Sequence, residues 1–119
     1  ITRALEYVGD HYDREIKIGD LAHLCHLSET HFRRIFARCM GVHPIDYVNQ
    51  VRIRNACQLL KKTNDSIMEI SIKCGFGSSA AFNRNFRKFM GVTPNEWRKL
   101  PENYERRLTK NNISYYDGW

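Results

Sequence analysis

Ile67-Met-Glu-Ile-Ser-Ile-Lys-Cys-Gly-Phe-Gly-Ser-Ser-Ala-Ala-Phe-Asn-Arg-Asn-Phe86, closed by Met90-Gly91-Val92-Thr93-Pro94, has an earlier counterpart in the same chain. That counterpart is Ile18-Gly-Asp-Leu-Ala-His-Leu-Cys-His-Leu-Ser-Glu-Thr-His-Phe-Arg-Arg-Ile-Phe36, closed by Met40-Gly41-Val42-His43-Pro44. Ile18 pairs with Ile67, Leu21 with Ile70 and Cys25 with Cys74 at a separation of 49. Phe32 pairs with Phe82, Arg34 with Arg84, Phe36 with Phe86 and Met40-Gly41-Val42 with Met90-Gly91-Val92 at a separation of 50. One extra residue therefore lies between Cys74 and Phe82, where a turn belongs. The chain is an internal duplication built around the stretch Pro44–Lys62.

Each copy reads as a short helix, a tight turn and a longer helix. In the first, Ile18–Leu24 turns Leu21 and Leu24 inward, and His26-Leu27 makes the turn. Ser28 is an N-cap for a helix over Glu29–Met40, whose apolar side is Phe32, Ile35, Phe36 and Cys39. Gly41 stops it, and Pro44 suits the first turn of the next helix. In the second copy, Ser66 and Glu69 form a capping box for Ile67–Lys73. Gly75-Phe76-Gly77 is the turn. Ser78 or Ser79 caps a helix ending near Met90, with Phe82, Phe86 and Phe89 inward.

Working outward, Thr2–Tyr12 is a first amphipathic helix with Leu5, Val8 and Tyr12 on one face. Pro44–Lys61 is a long helix anchored by Ile45, Val48, Ala56, Leu59 and Leu60, and Pro94–Leu100 is a last helix with Trp97 inward. The expected fold is all-α: seven helices, in which two helix-turn-helix units are joined by a long linker helix. The expected boundaries are 1–43, 44–62 and 63–100, with 101–119 a tail lacking periodicity. Tyr115, Tyr116 and Trp119 are candidates for packing back on the body.

Composition narrows the function. The chain has 119 residues, 42% of them hydrophobic, and a formal charge of +6, which favours an anionic partner. No apolar run reaches membrane-spanning length, and no signal-peptide pattern opens the chain, so no membrane partner is expected. Cys25, Cys39, Cys57 and Cys74 show no C-x-x-C spacing and sit at apolar helix positions. They are read as buried, reduced thiols, which points to a reducing, cytoplasmic setting. His23, His26 and His31 lie near Cys25, but they face different directions on a helix-turn-helix and no second Cys pair completes a tetrahedral set. Neither a metal nor a cofactor is expected. The chain opens inside an amphipathic pattern without an initiator Met, as a piece of a longer protein would.

The second helix of such a unit is the kind that enters a major groove. In the first copy the inward residues leave Thr30, Arg33 and Arg34 outward, followed by Arg38. In the second they leave Ser79, Ala80, Asn83 and Arg84 outward, then Arg87 and Lys88. Near the start of the helix, Arg can take guanine bidentately and Asn can take adenine. Thr30, Arg33, Arg34, Ser79, Ala80, Asn83 and Arg84 are the candidate base-contacting residues. Arg38, Arg52, Arg87 and Lys88 are candidates for phosphates. Any exposed helix face gathers basic residues, but here Arg occupies the same slot twice. The intervening helix spans about 27 Å. With its flanking turns it would set the two recognition helices about one turn of B-DNA apart, roughly 34 Å. The expected partner is double-stranded DNA rather than RNA, whose deep major groove excludes a helix.

The run Ser66-Ile-Met-Glu-Ile-Ser, Gly75-Phe76, Phe82-Asn-Arg84-Asn-Phe86-Arg-Lys88 and Gly91-Val-Thr-Pro94-Asn-Glu-Trp97-Arg98 resembles the signature of AraC/XylS transcription regulators. The linker pattern Tyr47-Val48, Arg52-Ile53, Ala56 and Leu59-Leu60 adds to the resemblance, which covers about residues 2–100. It implies a seven-helix domain that binds promoter DNA, usually as an activator contacting RNA polymerase. An effector or dimerisation domain is expected on the N-terminal side, with a self-sufficient short regulator as the alternative. The family commonly has Ala where Ser71 stands, an aromatic where Ala81 stands, and Tyr or Phe where Trp97 stands. The small Ser79-Ala80-Ala81 tip suggests loose reading by the second unit. An enzyme is a rival reading, but no carboxylate pair, nucleophile with a base, or phosphate-binding glycine loop is visible. A protein-interaction domain without DNA binding is the other, and Arg33, Arg34 and Arg84 argue against it.

Overall fold

A computed structural model describes residues 1–103 of the chain, so the aromatic residues of the tail lie outside the described residues. The described residues form α1 (Thr2–His11), α2 (Ile18–Leu24), α3 (Glu29–Met40), α4 (Pro44–Lys62), α5 (Ile67–Lys73), α6 (Ser79–Met90) and α7 (Pro94–Arg98), with no strand among them. The all-α expectation holds. α7 stops at Arg98, before the expected Leu100, and residues 101–103 are helical again.

The chain divides into two compact units, Ile1–Arg52 and a second beginning at Ile53. The first is closed around Ala4, Val8, Leu21, Ala22, Phe32, Phe36, Val48 and Val51. The second is closed around Ile53, Ala56, Leu60, Ile70, Cys74, Phe76, Phe82 and Phe86. α4 therefore serves both cores rather than standing between them as a separate linker. Its N-terminal half supplies Val48 and Val51 to the first, and its C-terminal half supplies Ile53, Ala56 and Leu60 to the second. At 3.6 residues per turn these two groups fall on different faces of one helix.

Aromatic packing repeats with the duplication. In the first unit Phe32 tilts against Phe36 at 5.5 Å, and Phe36 meets Tyr47 edge-on, also at 5.5 Å. In the second, Phe82 meets Phe86 at 5.8 Å and Phe86 meets Trp97 at 6.0 Å, both edge-on. These edge-to-face contacts are a favoured aromatic geometry. Tyr47 and Trp97 are 50 positions apart, so Trp97 is the larger occupant of a repeated slot.

Buried polar groups are satisfied locally. Ser71 is buried, and its hydroxyl donates to the Met68 carbonyl at 2.8 Å. That back-bond removes the desolvation penalty a bare hydroxyl would bring. Arg98 of α7 turns inward over the loop before α5 and donates to the carbonyls of Leu60, Thr63 and Asp65. Asp65 also receives Lys73 at 2.7 Å, and that hydrogen bond holds its carboxyl below the usual value.

Two expectations about burial are corrected. Ile45, expected to anchor α4, is 44% exposed. Cys39 is exposed as well, while Cys25 and Cys57 are half-buried and Cys74 is buried. The apolar side of α3 is thus narrower than its periodicity suggested. Phe32 and Phe36 fill it, and Ile35 is only half-buried.

Candidate nucleic-acid interface

The two helix-turn-helix units share two of their turn hydrogen bonds and differ in a third. In the first, the amides of Cys25 and Leu27 both donate to the Ala22 carbonyl at 3.0 Å, and His26 donates to His23. In the second, Cys74 donates to Ile70, Gly75 to Ile72, and Phe76 to Ser71. Both turns reverse through one left-handed residue, His26 at φ 57° and Gly75 at φ 89°. Glycine meets that demand without a Cβ penalty; histidine meets it with strain. The turns then differ. Leu27 is followed directly by the cap Ser28, whereas Gly77 intervenes between Phe76 and the cap Ser78. Gly77 is the extra residue of the second copy.

Each recognition helix starts with a side-chain cap and ends on a left-handed glycine. Ser28 accepts from the His31 amide at 3.2 Å, and Ser78 accepts from the Ala81 amide at 3.1 Å. Gly41 and Gly91 close α3 and α6 at φ 75° and 81°. With Phe32 and Phe36 buried, α3 leaves Thr30, Arg33, Arg34 and Arg38 exposed in one stripe at three- and four-residue spacing. With Phe82 and Phe86 buried, α6 leaves Ala80, Asn83, Arg84, Arg87 and Lys88 exposed in the equivalent stripe. Ser79 sits at its edge and is half-buried.

The charges on the two stripes are handled differently. Arg33 donates through Nη2 to Glu29 Oε1 at 2.6 Å, an ion pair one helical turn long. Arg34, Arg38 and Arg84 make no ion pair or hydrogen bond among the described residues, so their guanidinium groups are open to a ligand. Lys88 lies over the Phe89 ring at 5.3 Å. Arg87 is near Glu96, whose carboxyl is held below the usual range chiefly by the Thr93 amide and hydroxyl, with Arg87 a smaller contributor. α6 itself carries no acidic side chain.

Arg52 is corrected. It was a candidate phosphate contact, but it is turned into the first unit and is only 9% exposed. Its Nε donates to the Tyr12 carbonyl and its Nη2 to the Arg14 carbonyl, both at 2.8 Å, with Asn49 Oδ1 at 3.4 Å. Arg52 pins the segment leading into α2, as Arg98 pins the one leading into α5. Nothing in the sequence separates these two from the outward arginines except their place on the buried side of α4 and α7. Sequence reasoning also missed Glu29, although its four-residue spacing from Arg33 is the signal for a helical ion pair. Among the described residues no group of three or more His, Cys, Asp or Glu is placed to hold a metal ion. Nor is any described helix long and apolar enough to cross a membrane.

A family model described as a helix-turn-helix domain matches residues 21–100. The melibiose operon regulatory protein of Escherichia coli K12 is 32% identical over 109 residues, covering 92% of this chain and 35% of that protein. The lactose operon transcription activator of Staphylococcus xylosus is 28% identical over 98 residues, 82% of this chain and 35% of the activator. The chain thus spans about a third of the length of these curated relatives. Among solved structures, a Chromobacterium violaceum transcriptional regulator with an AraC-type DNA-binding domain superposes with a TM-score of 0.75 at 29% identity, covering 84% of this chain and 92% of that one. With the duplicated units, the matched span and these likenesses, the chain belongs to the AraC/XylS family of helix-turn-helix DNA-binding domains.

Proposed function

We propose that this chain is the DNA-binding part of a bacterial transcription activator, and that α3 and α6 each enter a major groove of promoter DNA. The observation that carries this is the repeated stripe. Thr30, Arg33, Arg34 and Arg38 on α3 recur in place as Ala80, Asn83, Arg84 and Lys88 on α6, each backed by a buried phenylalanine pair. The base-reading residues are Thr30, Arg33 and Arg34 in the first unit and Ala80, Asn83 and Arg84 in the second, with Ser79 at the rim. Arg38, Arg87 and Lys88 take phosphates. Arg34 and Arg84 present forks, unpaired among the described residues, that suit guanine, Asn83 suits adenine, and Ala80 offers at most a methyl contact with thymine.

The units differ in chemistry, so the site is asymmetric, and the second unit reads more loosely than the first. The activator reading follows the relative named as one, and brings RNA polymerase contact and a cytoplasmic setting with it. A sensing or dimerising domain N-terminal to this chain accords with its covering only about a third of its relatives.

The test is selection of bound sequences from a random duplex pool at near-physiological salt. Two unlike blocks about one helical turn apart support docking of both units. A single block would restrict base reading to one unit. Absence of any enriched sequence would sink the reading.

A further inference from the structure

The geometry points to Glu29 as a positioning residue for base reading: its carboxylate holds Arg33 in one pose, so that the first unit discriminates bases more sharply than its charge alone would allow. The inference rests on the proposed reading of bases by α3. Glu29 is exposed at the first turn of α3, where the helix N-terminus favours an acid although DNA phosphates repel one. Two observations give it a further role. Its Oε1 receives Arg33 Nη2 at 2.6 Å, across one turn of the recognition helix. Its Oε2 lies against Gly19 of α2, so closely that a Cβ built there would stand 3.3 Å away. The carboxylate is therefore seated between α2 and Arg33, and a residue without a side chain leaves room for it.

A guanidinium carries five N–H donors in a rigid plane. Glu29 engages one Nη2 hydrogen and leaves the remaining donors free for the O6 and N7 acceptors of a guanine. The pairing also offsets the positive charge of Arg33. An offset arginine gains less from a sequence-blind phosphate and keeps its directional hydrogen bonds to a base. The duplication supplies an internal contrast. The positions equivalent to Glu29, Arg33 and Gly19 are Ser79, Asn83 and Met68, so the second unit has neither the acid nor its seat. Arg84, by comparison, has no such tether among the described residues. The two units are thereby divided: the first is tuned for discrimination, the second for grip.

The experiment uses the full 119-residue chain and the duplex recovered by the selection above. Affinities are measured for that duplex, for every single base-pair variant of it, and for random duplex, across a salt series. Arg33→Ala first identifies the base pair whose preference depends on Arg33. Glu29→Ala is expected to lower discrimination at that same base pair by about two- to fivefold, the range of an exposed ion pair. It should also raise affinity for random duplex and steepen the salt dependence by up to about one charge. Glu29→Gln keeps an acceptor in place and should recover part of the discrimination but not the original salt slope. In the Arg33→Ala background, Glu29→Ala should alter discrimination no further.

Unchanged discrimination in Glu29→Ala, alongside a clear loss in Arg33→Ala, overturns the inference and leaves the base-reading proposal standing. An effect of Glu29→Ala that persists without Arg33 also overturns it, because Glu29 would then be reading a base itself. If Glu29→Gln behaves as Glu29→Ala, charge and not positioning is at work. If Arg33→Ala changes no base preference, the assignment of Arg33 fails, and the inference falls with it for that separate reason.

Discussion

Arg52 shows how a single side chain departs from its composition class. It is basic and lies on the helix that both units share, yet it spends its donors on the carbonyls of Tyr12 and Arg14. Arg52→Ala should lower stability by roughly 2 kcal/mol, because two carbonyls lose their partner in a site largely closed to water. Denaturant unfolding measures this, and an unchanged salt slope for DNA binding separates it from loss of a phosphate contact. Arg52→Lys should not rescue, since one ammonium lacks the planar fork that reaches both carbonyls. The cysteines make a second residue-scale case. Burial pushes the Cys57 thiol up to about 11, whereas Cys39 is exposed and Cys74 buried. Alkylation of the native chain followed by mass mapping should label Cys39 first, Cys57 more slowly, and Cys74 only on unfolding. Fast labelling of Cys74 would contradict the packing of the second core.

At the level of elements, the two turns ask for the same backbone conformation with different residues. His26 holds φ 57° where the second copy has Gly75 at 89°. His26→Gly should therefore stabilise the first unit by about 1 kcal/mol, the penalty for a side chain in the left-handed region offset partly by added freedom in the unfolded chain. A thermal melt reads the sign directly, and destabilisation would mean that the imidazole makes up for the strain. The elements themselves were legible in the sequence. The Ser28 and Ser78 caps, the Ser66–Glu69 box and the Gly41 and Gly91 stops are local signals, and the helices begin and end at them. Such signals act within a turn or two of chain, which is why they survive without tertiary information. The inward turn of Arg98 was not legible, because its acceptors on α4 and the following loop are distant in sequence.

For the whole molecule, each unit has its own buried phenylalanine pair, and α4 contributes to both cores. Phe32→Ala and Phe82→Ala should each remove about 3–5 kcal/mol. Native-state hydrogen exchange should show protection lost first from α1–α3 in one variant and from α5–α7 in the other. Equal loss of protection throughout both variants would show that α4 couples the cores into one cooperative body.

The sequence by itself determined the all-α class, the duplication, the cap and stop positions and the outward stripes on α3 and α6. All follow from periodicity and short-range hydrogen bonding, which the order of residues carries in full. Tertiary structure decided which polar side chains are available to a ligand. Arg52 and Arg98 were withdrawn into the fold, and Cys39 was left exposed. A side chain of given type goes inward or outward according to whether folded backbone presents it with acceptors. Those acceptors, the carbonyls of loops some forty residues away, exist only once the chain has closed on itself.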